Sequence, residues 1–289
     1  FEEQGALLGD AATEEADPAR KAELLRRLGD TMRTHLMNPE GAADRYGLAL
    51  AADPRNEGAR LGMTGLLEVP ETATRASSAL STAFASTDEW DRTLGLLEHR
   101  LAAAGADRAA RAALLLEAAD LNEQRGNDGW SALSCVRRAL PETPDDARIE
   151  SELLRLAEAT RGWSVVVEAY RDAVARIESS IGETVAGGED DGHEAERAQA
   201  TRLRFTEGNL LETRIDDPAG ALVVYLRVSQ DAPARPDATA AVVRVAARAG
   251  RWDAAAAALV RAADARAHVD DAAFALAEAG IEAQSAWAE

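Results

Sequence analysis

The chain has 289 residues, of which 46% are hydrophobic and only 4% aromatic. A chain of this length forms one or two globular domains, and here the core must be built from leucine, valine and alanine. Alanine is the best helix former, whereas β-branched and aromatic residues favour strands. The composition therefore predicts an all-α protein and excludes sandwiches, barrels, collagen-like, disulfide-scaffold and largely disordered chains.

The charge balance limits the partners. The 51 acidic and 32 basic residues give a net charge of -19, which repels nucleic acid and anionic membranes overall but leaves room for a local basic patch. No apolar run is long enough for a membrane-spanning helix. With Cys135 as its single cysteine, the chain has no internal disulfide, which favours the cytoplasm and is also compatible with the periplasm.

Three stretches repeat one pattern of small, aromatic and proline residues. The small residue of a first helix is followed, at matching offsets, by a small residue, a bulky residue, a second small residue and a proline. The three copies are Gly29, Ala42, Tyr46, Ala49, Pro54; Ala119, Ala132, Val136, Ala139, Pro144; and Gly208, Ala221, Tyr225, Val228, Pro233. Val136 replaces the aromatic residue, and Val228 replaces the last small one.

The repeated segments predict helical hairpins. Asn38-Pro39 and Asp217-Pro218 each place a capping side chain before a proline suited to the first helical position. Ala42, Tyr46 and Ala49 then lie on one helical face. Apolar periodicity extends the prediction to helices near 18–36, 39–52, 56–68, 72–85, 88–103, 106–125, 128–140, 145–160, 163–181, 194–214, 218–230, 236–249, 252–266 and 270–285.

This pattern resembles the second half of a tetratricopeptide (TPR) repeat, and its style is similar to the long arrays of myxobacteria and related groups. The resemblance implies a right-handed α-solenoid of stacked antiparallel helical hairpins, with about seven hairpins in one superhelical array over 1–289. The turn within each matching hairpin is one residue longer than is usual for TPRs. Both ends resemble cut hairpins, which predicts a segment of a longer array or ends covered by partners or an oligomer.

The resemblance also implies candidate binding residues. In TPRs the first helix of each hairpin lines the concave groove, so the positions after the small residue are expected to face a protein or peptide partner. These positions are Asp30, Arg33, Thr34, Asp120, Glu123, Gln124, Asn209, Glu212 and Thr213. They lack the Lys/Arg-rich clamp with which chaperone-binding members hold peptide C-termini. The alternative is that they are simply exposed polar residues.

Other conspicuous residues have simpler interpretations. Four tryptophans near helix starts, Trp90, Trp130, Trp163 and Trp252, are predicted to pack at hairpin turns as part of the core. Cys135 is predicted to be a small core residue. The segment 183–194, acidic and glycine-rich, is predicted to be a mobile loop insertion in which His193 and its acidic neighbours are solvated rather than metal ligands.

The function expected from these features is a non-catalytic protein–protein interaction scaffold or adaptor that uses the solenoid surface. No phosphate-binding loop, nucleophile elbow or metal-ligand spacing occurs, so no enzyme activity, cofactor or metal is predicted. One alternative is a regulatory or assembly arm of a larger protein whose catalytic or DNA-binding part lies outside this chain. Another is an enzyme built on helical hairpins, which would require perturbed carboxylates in a pocket.

Overall fold

The computed structural model describes residues 1–186, 192–233 and 235–266, and this part of the chain contains helices and turns but no strand. The predicted helix 270–285 and residues 187–191 of the predicted loop insertion lie outside the described residues, whereas 183–186 belong to a helix and 194 begins the next one. The helices are α1 Glu2–Glu14, α2 Pro18–Thr34, α3 Pro39–Ala52, α4 Glu57–Thr64, α5 Pro70–Ser86, α6 Trp90–Gly95, α7 Leu97–Ala104, α8 Arg108–Gln124, α9 Gly129–Ala139, α10 Ala147–Thr160, α11 Trp163–Ala186, α12 Glu194–Leu210, α13 Pro218–Asp231, α14 Pro236–Ala249 and α15 Trp252–Arg266. A π-helical turn, Leu211–Ile215, extends α12.

The chain divides into two compact units, Phe1–Cys135 and Val136–Glu289. In the first unit, α2 packs against α3, and α3 packs against both α4 and α5. In the second, α11 to α14 each pack against the next helix in the chain. Short turns reverse the chain between neighbours, so each unit is a stack of helical hairpins. The predicted all-α fold of stacked helical hairpins is confirmed; the TPR likeness and a single right-handed array of about seven hairpins stay predictions.

The three matching hairpins share one turn, which accounts for the extra residue noted in the sequence. In each turn, one non-glycine residue has a left-handed backbone, with φ of 49°, 50° and 59° at Met37, Asn127 and Asp216. The N–H of the following residue then donates to a carbonyl six positions earlier in the first helix, at 2.9, 2.9 and 2.8 Å. The turn satisfies carbonyl groups at the end of the first helix, which would otherwise lack a partner.

The residue after the left-handed position caps the second helix. The side chains of Asn38, Asp128 and Asp217 accept from the backbone N–H three residues later, at 2.8, 3.0 and 2.9 Å. Proline follows the cap in α3 and α13 and glycine follows it in α9, so only two of the three helices begin with the preformed proline geometry. The predicted starts of these helices therefore agree with the structure.

A glycine–tyrosine contact joins the two helices of a hairpin. A Cβ atom added to Gly29 would lie 2.6 Å from the Tyr46 ring, and one added to Gly208 would lie 2.7 Å from the Tyr225 ring. Both tyrosines are fully buried. The two glycines let the helices approach until the tyrosine ring fills the space where a side chain would be. The small-residue position of the repeat thus has a direct steric cause.

The tryptophans are placed as predicted along the chain, but not all of them are buried. Each lies at the first or second position of its helix. Trp130 and Trp252 are 55% and 40% exposed, so the prediction that they belong to the core is wrong. The cause is their position, because a side chain on the first turn of a helix can extend beyond the neighbouring helix. Trp163 is half-buried beneath the Arg214 guanidinium, 4.5 Å from the ring centroid.

Candidate interaction sites

The predicted groove positions on α2 separate into structural and exposed residues. Asp30 is half-buried, accepts a hydrogen bond from the Tyr46 hydroxyl at 2.6 Å and pairs with Arg26. Arg33 is also half-buried, whereas Thr34 is exposed and donates to the Asp30 carbonyl at 2.6 Å. Asp30 therefore helps to hold the hairpin together, and Thr34 is the position that faces solvent most openly.

The corresponding positions on α8 are less involved in the core. Asp120 and Gln124 are exposed, and Glu123 is half-buried. Cys135, predicted as a core residue, is buried beside the Asn122 amide, whose nitrogen lies 3.7 Å from its sulfur. Of the three predicted positions on α8, the two exposed ones are thus one acid and one amide.

On α12 and its π-helical turn, the prediction again covers two kinds of residue. Asn209 and Thr213 are exposed, and the Thr213 hydroxyl donates to the Asn209 carbonyl at 2.7 Å. Glu212 is only 8% exposed and accepts two hydrogen bonds from Arg244, both at 2.8 Å. The Tyr225 hydroxyl also donates to Glu212, at 3.3 Å. Glu212 is therefore part of the structural core.

Ionisation states near the tyrosines follow from burial and pairing. The hydrogen bonds from Arg244 hold the pKa of Glu212 below its usual value, with help from Tyr225 and the charge of Arg248. Burial raises the pKa of Tyr225 to about 12. Burial and the bond to Asp30 raise the pKa of Tyr46 as well. Near neutral pH Glu212 is therefore ionised beside the neutral phenol of Tyr225, which is the state that stabilises the α12–α13 hairpin.

Five of the nine predicted positions are exposed in the structure, and we call them the exposed first-helix positions: Thr34, Asp120, Gln124, Asn209 and Thr213. Thr34, Gln124 and Thr213 share one offset from the small residue of the repeat, and Asp120 and Asn209 share another. The repeat therefore presents similar small or medium-sized polar groups at equivalent places on three helices. Whether these positions line a groove stays a prediction.

Sequence reasoning missed a second candidate site. In the second unit, a cleft of about 840 Å³ lies between the C-terminal half of α11, the N-terminal half of α12 and the C-terminal end of α13. Its lining includes Ile181, three alanines, four arginines and three carboxylates. The signal available in the sequence was the seven-residue spacing of Arg197 and Arg204, which places both on one face of α12.

The four arginines of the cleft differ in how they are used. Arg204 is mostly buried and pairs with Glu178 and, at 3.0 Å, with Asp231. The Arg227 side chain is 57% exposed and lies 3.3 Å from Asp231. Arg197 is exposed and forms no ion pair within the described ranges.

The fourth arginine, Arg235, combines a ring contact with a local ion pair. Its guanidinium carbon lies 4.7 Å from the centroid of the Phe205 ring, and its Nε lies 2.9 Å from Asp237. The contact with the ring therefore holds the Arg235 guanidinium group at the end of the cleft near α13.

Comparison with known proteins gives limited information. No protein-family model and no curated protein matches the chain. Among solved structures, the chain is similar to one in the crystal structure of the APC/C hetero-tetramer Cut9–Hcn1, with 12% identity and a TM-score of 0.31. The match covers 95% of this chain and 51% of the other, so the chain spans about half the length of that protein. The fold assignment therefore depends on the turns and glycine–tyrosine contacts described above.

The described residues offer neither a metal site nor a membrane-spanning helix. They contain no group of three or more His, Cys, Asp or Glu side chains placed to bind a metal ion. In that same part of the chain, every helix is too short or too polar to cross a membrane.

Proposed function

We propose that the protein is a non-catalytic scaffold or adaptor that binds protein partners through the exposed surface of its hairpin stack. The observation that carries the proposal is the recurrence of the exposed first-helix positions at equivalent repeat offsets on α2, α8 and α12. Each of these helices offers exposed polar groups at matching offsets from its small residue, which suits contacts to a protein or peptide.

The distribution of charged groups supports this proposal. The acids whose pKa is lowered are engaged with neighbouring arginines or capping groups, as Glu23 is with Arg26 and Glu212 is with Arg244. These groups stabilise helices and hairpins. The exposed first-helix positions, by contrast, are threonine, aspartate, asparagine and one glutamine; all except the glutamine are short side chains that bind a partner at a small entropic cost.

The proposal is tested by purifying the tagged protein from its native host and identifying any partner present in stoichiometric amount. Asp120→Arg and Asn209→Arg alter exposed positions and leave the buried contacts intact. Asp30→Arg and Glu212→Arg are unsuitable because both acids hold a buried tyrosine hydroxyl. We expect the partner to be lost, or reduced by at least about 10-fold, when the two substitutions are combined.

Val223→Arg provides a matched control, because Val223 is 69% exposed on α13, the second helix of the same hairpin as Asn209. It adds the same charge as Asn209→Arg at a different face. Loss of the partner in Val223→Arg as well as in the combined first-helix variant would indicate a nonspecific charge effect. If a stoichiometric partner is retained in the combined first-helix variant, the exposed first-helix positions are not the binding surface.

A further inference from the structure

We propose that the cleft between α11, α12 and α13 binds an extended acidic peptide segment of a protein partner. The inference rests on the proposed function, because it names the chemistry of one partner, but it concerns a different surface from the exposed first-helix positions. It starts from the fact that the cleft concentrates arginines in a chain whose net charge is -19.

The size and lining of the cleft suit a peptide. Its volume of about 840 Å³ lies in the range of clefts that bury most of a bound ligand, roughly 300 to 1,000 Å³. Ile181, Ala198 and Ala232 supply apolar surface between the charged groups. A peptide can place apolar side chains on this surface while its carboxylates reach the surrounding arginines.

The ion pairs within the cleft leave positive charge for a ligand. Two of the three lining carboxylates, Glu178 and Asp231, are already bound by Arg204. The third, Glu194, is exposed at the first residue of α12. Arg197 has no ion pair in the described residues, and the Arg227 side chain is more than half exposed beside a carboxylate that Arg204 shares. These two arginines can therefore receive carboxylates from outside at a small desolvation cost.

The same arrangement disfavours nucleic acid. A phosphate backbone carries closely spaced charges and requires a continuous positive surface. Here three carboxylates interrupt the arginines, and the remainder of the chain is strongly acidic. A peptide can space its carboxylates to match individual arginines, so an acidic peptide fits the charge pattern better.

The test uses the full chain and a fluorescein-labelled peptide of alternating glutamate and leucine, with a glutamine–leucine peptide of equal length for comparison. We expect fluorescence anisotropy to show binding of the glutamate peptide, which weakens as salt rises. The combined Arg197→Glu and Arg227→Glu variant should lower this affinity by at least about 10-fold, because two attractive contacts become repulsive.

Arg148→Glu is the matched control, because Arg148 is exposed on α10 and does not line the cleft. It should leave the affinity within about 2-fold of the wild type, since its exposed side chain is screened by solvent and forms no part of the cleft lining. Absence of binding, equal binding of the glutamine peptide, or equal weakening by Arg148→Glu would each overturn the proposal. Displacement of the bound peptide by a short single-stranded RNA at lower concentration than by unlabelled peptide would also overturn it, in favour of a nucleic-acid ligand.

The outcome is separable from the test of the proposed function. If the cleft variant binds the peptide normally while the combined Asp120→Arg and Asn209→Arg variant releases the native partner, only the cleft inference fails. If the acidic peptide requires Arg197 and Arg227 but no native partner depends on the first-helix positions, the cleft survives and the binding surface proposed for the hairpin stack is wrong.

Discussion

The α2–α3 hairpin of the first unit and the α12–α13 hairpin of the second share a turn, a cap and a glycine–tyrosine contact, but they differ in their carboxylates. Tyr46 donates to Asp30, which directly follows the small glycine of its repeat, at 2.6 Å. Tyr225 donates to Glu212, one helical turn further along, at 3.3 Å. The two acids also pair with arginines from different places in the fold.

In α2–α3 the pairing is local, because Arg26 and Asp30 lie one turn apart on the same helix. In α12–α13 it reaches the next hairpin, since Arg244 and Arg248 of α14 both contact Glu212. The same hairpin geometry therefore supports two kinds of ion pairing, one in α2–α3 and another in α12–α13. The first rigidifies a single hairpin, whereas the second connects successive hairpins of the stack.

Substitution of the buried glycines should produce the largest effect. Gly29→Ala and Gly208→Ala each force a Cβ atom into a tyrosine ring, so we expect each to cost about 2 to 3 kcal/mol. Gly29 should be the more sensitive, because Gly62 contacts another part of the same Tyr46 ring and limits its movement. Hydrogen exchange of α3 and α13 amides gives the local free energy of opening for each hairpin.

Gly182→Ala is the control for helix propensity. Gly182 is exposed on α11, and a Cβ atom there meets nothing within 4 Å. The alanine should stabilise its helix by about 0.5 to 1 kcal/mol. If Gly29→Ala or Gly208→Ala were neutral or stabilising too, close glycine–tyrosine contact would not be what holds the hairpins together.

Removing the charge of Glu212 should have the next largest effect. Glu212→Gln weakens the bonds from Arg244 and should cost about 2 kcal/mol, with increased exchange in both α12 and α14. Asp30→Asn should cost less, about 1 kcal/mol, and should affect only α2 and α3, because its partners lie within one hairpin. Increased exchange confined to α12 after Glu212→Gln would contradict its role between hairpins.

The sign of the pH dependence follows from the lowered pKa of Glu212. Its stabilisation is complete above the ordinary glutamate pKa of 4.5 and is lost as the pH falls through the lower pKa of the folded state. The difference in opening free energy between wild type and Glu212→Gln should therefore be constant near neutral pH and decrease below about 4.5. A difference unchanged down to full protonation of the acid would show that Glu212 acts through shape alone.

Replacing the tyrosines by phenylalanine compares the two hydroxyl bonds directly. Tyr46→Phe should cost about 1.5 kcal/mol, because it removes a short bond to a carboxylate. Tyr225→Phe should cost about 0.5 kcal/mol, since its bond is longer and Glu212 keeps the hydrogen bonds from Arg244. Both variants keep the ring against the glycine, so the comparison isolates the hydroxyl groups. Equal costs in the two hairpins would show that the arginine partners of each carboxylate do not change how much the tyrosine hydroxyl contributes to stability.

Local signals in the sequence predicted the fold well. Caps such as Asn38 and Asp217 and the small–aromatic spacing depend on neighbouring residues along the chain, so they placed the hairpins correctly. The break between α6 and α7 at Leu96 was missed although Gly95, which weakens a helix, directly precedes it, and the π-helical turn after Leu210 was missed because no residue of that segment marks it. The role of Glu212 was also missed, since it depends on Arg244, 32 residues later, and such a pairing has no local signal.

The cleft was harder to predict for the same reason. Its arginines come from α12, α13 and the turn after α13, and only the pair on α12 has a helical spacing. The length of α11 also mattered, because the predicted helix ends at 181 whereas the observed one continues to Ala186. The sequence therefore predicted the repeated surface but not the site formed between three helices.

The smallest expected effect distinguishes the two hairpins at their shared turn. Met37 is 80% exposed and has a left-handed backbone, so Met37→Gly relieves strain and loses little contact. We expect it to stabilise the α2–α3 hairpin by about 0.5 to 1 kcal/mol. Asp216 occupies the equivalent position, but it accepts a hydrogen bond from Arg248 at 2.6 Å.

Asp216→Gly should therefore gain nothing or cost about 0.5 kcal/mol, because the same backbone relief is offset by loss of that exposed ion pair. Thermal unfolding followed by hydrogen exchange at α3 and α13 measures both changes on one scale. A gain at both turns would mean that Arg248 contributes little at the turn, and that the hairpins of the second unit are connected through Glu212 alone. A gain at Met37 only would show that the turn, like the carboxylate, has been adapted in α12–α13 to hold the next hairpin.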